Sequence, residues 1–300
     1  MRWKRISCLA TVLLMALCFV MSSTDLILRE EVEEVKKISV IVSARENSYL
    51  NNFKAGILEA AGDSRADVNY VMLPEGKQER AARIERELTG NAQAVILFAE
   101  DLENSEDYVS GKAEGLPVIT VNTFGSVKGQ TADVSFNLQE AAEELAAAVS
   151  EKEGDKRQIV LLTNGKGISG RISQTLARIF WEKGLAVEVA EAEEEAIEKK
   201  REQDPEAVFV GCWVTDTEQA LKCLDGAPLY GVGSSNEILR SIMEGNTEGV
   251  AAFGMYSAGM YAIQQAVAAM EGTAKDIRIS CRLITKENVK EEQEFLIPIY

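Results

Sequence analysis

The chain has 300 residues, 46% of them hydrophobic and 27% charged, a globular balance with room for one large domain or two ordinary ones. Its formal net charge of −16 repels nucleic-acid phosphates and no basic stripe offsets it, so no nucleic-acid partner is expected. There is no histidine, which excludes Ser-His and Cys-His triads and removes the commonest nitrogen ligand for metals.

At the N-terminus, Arg2, Lys4 and Arg5 precede Ile6–Thr24, a run without a charged residue. A basic flank before an apolar run reads as a signal segment or an anchor, with the basic side cytoplasmic and everything after Asp25 outside. The run is just under the ~20 residues that span a bilayer as a helix. Val20-Met21-Ser22 and Ala16-Leu17-Cys18 are weak cleavage sites, and Leu17 is not the small residue that a lipoprotein signal places before its cysteine, so an uncleaved anchor is favoured. Asp25–Lys37 then reads as a charged stalk.

From Ile38 two kinds of segment alternate. Strand-like β-branched runs occur at Ile38–Ser43, Val68–Leu73, Ala94–Ala99 and Pro117–Asn122, with helix-period segments at Asn51–Ala61 and Glu79–Leu88. After Asp133 the pattern restarts. Leu138–Val149, Ile172–Lys183, Glu218–Leu224, Ile238–Gly245 and Ser257–Met270 read as helices, and Gln158–Thr163, Ala186–Ala190, Ala207–Cys212 and Pro228–Gly233 as strands. Continuous apolar strands followed by helices indicate parallel sheets covered on both faces, here in two similar doubly wound α/β lobes. Thr131–Phe136, Gly249–Phe253 and a strand near Ile277–Leu283 read as segments crossing between the lobes.

Ligands of open parallel sheets sit beyond the carboxyl ends of the strands. The loops there hold the candidate binding side chains. Arg45, Asn47 and Tyr49 follow the first strand, Glu100 the third and Asn122 the fourth; Trp213, Ser234 and Phe253 follow or end strands of the second series. Arg and Asn offer paired hydrogen bonds to hydroxyls or carboxylates, and aromatic faces offer stacking. Tyr49, Trp213 and Phe253 are equally compatible with core packing. Gly165-Lys166-Gly167-Ile168-Ser169-Gly170 is a literal G-x-G-x-x-G after a strand and before a helix, with Glu188 and Glu191 about 20 residues later. It opens the second lobe rather than the chain, and no evident proton donor follows. A glycine-rich turn is therefore the preferred reading and an NAD-linked enzyme the alternative. Cys212, Cys223 and Cys281 form no metal spacing and read as small hydrophobes. No cofactor, metal or catalytic group is expected.

The order of these pieces resembles the type I periplasmic sugar-binding protein family, which includes ribose- and galactose-binding proteins and the ligand-binding cores of lactose-repressor-like regulators. The resemblance runs from about Lys37 to Asn288. It rests on Phe53-Lys54-Ala55-Gly56, on Gly115-Leu116-Pro117-Val118-Ile119-Thr120-Val121-Asn122, on Tyr230-Gly231-Val232-Gly233-Ser234-Ser235-Asn236-Glu237, and on the helix end, crossing strand and helix from Gly245 through Gly259. After the anchor and stalk at 1–36, it implies a first lobe at 37–136 with 254–279, and a second at 137–253 with 280–300, closing on a ligand between them. Carried over by position, Asn47, Tyr49 and Leu50 match the first lobe's amide and aromatic contacts, and Asn122 stands where an aspartate is usual. Gln174, or Arg171 by a small shift, falls near the usual arginine. Cys212 or Trp213 occupies an Asn-Asp pair, Gly233 replaces a second aspartate, and Phe253 a common glutamine. The resemblance thus implies an extracytoplasmic protein that captures a sugar or related polar molecule for an ABC transporter permease or a membrane sensor kinase. Several hydrogen-bonding positions are lost, so a less polar ligand or a degenerate, partner-binding cleft stays open.

Overall fold

The computed structural model describes residues 2–23, 35–42, 48–74, 76–98, 115–121, 129–154, 157–292 and 295. The chain divides into two compact units, Met1–Val35 and Lys36–Tyr300. In the first, α1 (Arg2–Ser23) exposes Leu13, Leu14 and Phe19 at 65–73% of their surface. Among the described residues no helix is long and apolar enough to cross a membrane. The uncharged part of α1 rises only about 27 Å at 1.5 Å per residue, against a hydrocarbon core of about 30 Å.

The second unit holds two six-stranded sheets of the same design. The first contains β1 (Lys36–Val42), β2 (Ala66–Met72), β3 (Ala94–Phe98), β4 (Val118–Val121), β5 (Ala132–Phe136) and β11 (Ile277–Ile279), in the order β2-β1-β3-β4-β5-β11. The second contains β6 (Gln158–Thr163), β7 (Ala186–Glu191), β8 (Val208–Gly211), β9 (Leu229–Val232), β10 (Gly249–Phe253) and β12 (Cys281–Thr285), in the order β7-β6-β8-β9-β10-β12. Every residue of β3, β4, β8, β9 and β10 is buried, as strands covered on both faces require. The edge strands β2 and β7 are largely half-buried or exposed, which matches their mixed polar sequences.

The helices are α2 (Ser48–Asp63), α3 (Lys77–Leu88), α4 (Leu138–Glu153), α5 (Gly167–Glu182), α6 (Glu194–Gln203), α7 (Val214–Cys223), α8 (Asn236–Glu244) and α9 (Met255–Met270). Helices α2 and α9 pack backbone to backbone. A Cβ on Gly56 would lie 2.0 Å from the Tyr256 carbonyl oxygen, and one on Gly259 would lie 2.1 Å from that of Phe53. Only glycine permits that approach. Helix α4 packs under β10 and β12, on the other sheet.

Two expectations are corrected. The strand expected at Ile277–Leu283 is broken at Ser280, and its halves serve different sheets. Ile277 pairs with Val134 in parallel, whereas Cys281 pairs with Phe253 antiparallel. Likewise, Thr131–Phe136 and Gly249–Phe253 are not mere crossings, since β5 and β10 are buried sheet members; the chain changes sheets just after each of them. The crossing after β5 is tied to the end of β11 by the Asn137 N–H, which donates to the Ile279 carbonyl at 2.8 Å.

Candidate functional site

The second lobe's loops are shaped by small residues under them. In α7, Thr217 sits where side chains at Gly211 and Gly231 would be, 2.2 and 2.5 Å from the Cβ positions of those residues. Two glycines in neighbouring strands thus let the first turn of α7 settle onto the sheet. Trp213 caps that turn in extended conformation and is 2% exposed. One turn later, the Asp216 carboxylate reaches back to accept the Trp213 backbone N–H, the reciprocal half of a capping box. It also accepts the Asn164 N–H and, at 2.5 Å, the Ser169 hydroxyl, so it ties the loop after β6 to the loop after β8. Burial pushes its carboxyl up to about 6, even though these three donors pull the other way. Burial and the nearby Asp216 likewise hold the Cys212 thiol well above its ordinary range, so it is neutral.

The glycine-rich turn spends its polar groups internally. Gly165 N–H donates to Thr163 Oγ1 at 3.0 Å and Lys166 N–H to Asn164 Oδ1 at 2.9 Å, while Ser169 and Thr163 hydroxyls pair at 2.7 Å. A Cβ on Gly170 would lie 2.8 Å from the Gly165 carbonyl oxygen. The glycines therefore serve a tight turn, and these donors are not turned outward to a pyrophosphate, which removes the ground for a dinucleotide fingerprint.

Side chains from both lobes meet at the carboxyl ends of the strands. Tyr49 at the start of α2 meets Trp213 edge to face, ring centroids 5.9 Å apart. Phe136 at the end of β5 stacks on Phe253 at the end of β10 at 4.6 Å and lies 6.3 Å from Trp213. Only a closely packed space remains, lined by Tyr49, Trp213, Phe253 and Met255, with Val214, Gly233 and Ser234 closing it. No water molecule fits in it, and no lining residue among those described is charged. Ser48 Oγ accepts the Asn236 N–H at 3.0 Å, joining the first turn of α2 to the first turn of α8 across the gap. The lobes thus share one hydrophobic cluster, from Tyr49 and Phe53 to Trp213 and Phe253.

Of the side chains expected in the site, the structure brings Tyr49, Trp213, Ser234 and Phe253 together. Leu50 is 4% exposed and packs in the core of its lobe. Gln174 is exposed and Arg171 half-buried on α5, and neither lines the space. Arg45, Asn47, Glu100 and Asn122 lie outside the described residues. Met255 and Val214 line the space and Phe136 stacks against its wall, and the sequence reading singles out none of the three; for Phe136 the available signal is an aromatic residue at the end of Thr131–Phe136. Gly233 adopts φ +84°, and a Cβ there would lie 2.6 Å from Val214 Cγ2, so the backbone itself keeps this position free of a side chain.

Comparison with known proteins follows this architecture. A family profile described as periplasmic binding protein domain matches residues 38–274. No curated protein sequence matches the chain. Among solved structures, an ABC transporter solute-binding protein from Bacillus halodurans with bound myo-inositol is 18% identical, with a TM-score of 0.75 over 88% of this chain and 99% of its own. A glucose-galactose binding protein from Geobacillus stearothermophilus is 16% identical, with a TM-score of 0.75 over 89% and 100%. An ABC transporter solute-binding protein from Agrobacterium vitis bound with tagatopyranose is 14% identical, with a TM-score of 0.77 over 87% and 99%. At these identities the likeness is one of fold.

Proposed function

We propose, from the premise that this chain belongs to the periplasmic binding protein family, that it captures a small ligand between its lobes outside the cytoplasm and presents it to a membrane partner. One observation carries this reading: Tyr49 of the first sheet's helix and Trp213, Ser234 and Phe253 of the second sheet's loops converge on one space at the strands' carboxyl ends. The three chain crossings supply the hinge about which the lobes part to admit the ligand. Similar folds that hold myo-inositol and tagatopyranose support a sugar or polyol-sized occupant. The membrane partner in this reading is an ABC permease or a sensor kinase. Helix α1, apolar on all described sides, is read as the tether, its slightly short span met by the basic residues Arg2, Lys4 and Arg5 at the interface.

A ligand that binds only the folded state raises its melting temperature, by an amount set by concentration over Kd. A thermal-shift panel of sugars, polyols and ring compounds on the detergent-solubilised full chain is expected to give at least one concentration-dependent rise. A flat panel would defeat ligand capture. Alkaline carbonate extraction, with mass determination of the mature N-terminus, tests the tether; a soluble form beginning near Phe19 or Ser23 would defeat it.

A further inference from the structure

Where the two lobes meet, the second lobe's part of the lining is chemically one-sided. Trp213, Val214 and Phe253 present carbon surface, and Ser234 alone among the described lining residues of that lobe carries a hydroxyl. The Asp216 carboxylate, in the first turn of α7, is 2% exposed and already accepts from Ser169, Asn164 and Trp213. Gly233 cannot be replaced by a polar residue in its present backbone, because φ is +84° and the Cβ position is occupied by Val214. Gln174 and Arg171 stay out of the space. A polyhydroxylated ring against this wall would leave its hydroxyls without partners, at about 1–3 kcal/mol for each buried group.

Resting on the cleft reading above, we infer that the ligand turns a broad apolar ring face to the second lobe, between Trp213 and Phe253. Its class is therefore aromatic or deoxygenated ring compounds rather than free polyhydroxylated sugars. The test uses the full chain with Trp3→Phe and Trp181→Phe, exposed at 89% and 75%, so that Trp213 is the sole indole emitter among the three tryptophans. Phenyl β-glucoside and phenyl β-galactoside are titrated beside glucose, galactose, ribose and myo-inositol, and indole, which is itself fluorescent, is followed by thermal shift. Binding of the phenyl glycosides at least about tenfold tighter than the matching free sugars, or of indole alone, is the expected result. Replacing Trp213 by Phe should keep that preference and replacing it by Ala should abolish it, read by thermal shift since the emitter is gone. Free sugars bound as tightly as their phenyl glycosides would overturn the inference and leave ligand capture standing. No binding by any probe would overturn both.

Discussion

Asp216 gives the sharpest test of how the cleft wall is held. Its carboxyl, ordinarily at 3.8, is raised to about 6, chiefly by desolvation. The gap corresponds to about 3 kcal/mol by which folding disfavours the ionised form. The sign follows from proton binding: between these two values the folded chain holds more protons than the unfolded chain. The neutral group's advantage is complete below the unfolded value, and it is lost as the pH rises through about 6. Going from about pH 7.5 to about pH 4.5 should remove about 2 kcal/mol of penalty. Asp216→Asn keeps an acceptor for the Trp213 and Asn164 N–H groups and cannot ionise. Urea unfolding of the full chain, followed by tryptophan fluorescence at several pH values, gives the profile for each protein. Other carboxylates act equally in both, so the difference between the profiles isolates Asp216. The wild type should gain about 2 kcal/mol relative to the variant on acidification. Parallel profiles would mean that Asp216 titrates alike folded and unfolded, and the desolvated clasp between the two loops would have to be given up.

Gly233→Asp, which restores the carboxylate usual in the resembling family, should lower the melting temperature by the equivalent of about 2 kcal/mol or more, through positive φ and the Val214 contact, and should leave binding of free sugars unimproved by titration. Gly259→Ala drives a methyl into the Phe53 carbonyl oxygen and should cost about 2–3 kcal/mol in urea unfolding. Ser48→Ala removes the hydroxyl that accepts the Asn236 N–H, so acrylamide should quench Trp213 more readily in that variant. Ser235→Ala removes the cap that accepts the Ile238 N–H at 3.3 Å, at a cost of about 1 kcal/mol read in the same unfolding assay.

Much of the architecture is legible in the sequence because central strands buried on both faces leave continuous apolar runs, such as Ala94–Phe98 and Val208–Gly211. The break at Ser280 is not legible, since both halves of Ile277–Leu283 have strand character and only the topology assigns them to different sheets. The site divides in the same way. Trp213 and Phe253 stand out as aromatics at strand ends, whether as ligand wall or core, and the structure buries both in a shared interlobe contact. The part played by Thr217 under Gly211 and Gly231 depends on three elements meeting, and no local pattern announces it. The G-x-G-x-x-G at Gly165–Gly170 is the instructive case. Its glycines are required by turn geometry and close backbone packing, which are the needs of any tight strand-to-helix turn, and the spacing alone does not say whether the N–H groups face a ligand or their own side chains.

The aromatic contacts between the lobes bear on the affinity of any ligand that parts them. Tyr49, Trp213, Phe136 and Phe253 form contacts across the lobes that a ligand must displace, and each aromatic pair contributes about 0.5–1.5 kcal/mol beyond its buried area. Apparent affinity falls in proportion to the fraction of molecules that are open. If the closed form exceeds the open by about a hundredfold, a ligand of micromolar intrinsic affinity binds only at about a tenth of a millimolar. An apolar ring recovers the lost contacts by replacing them with its own, whereas a hydroxylated ring breaks them and offers hydrogen bonds for which this wall has few partners. The same closure thus penalises every ligand but penalises the polar ones more. On the cleft reading proposed above, selectivity in the second lobe rests on the carbon surface of Trp213 and Phe253.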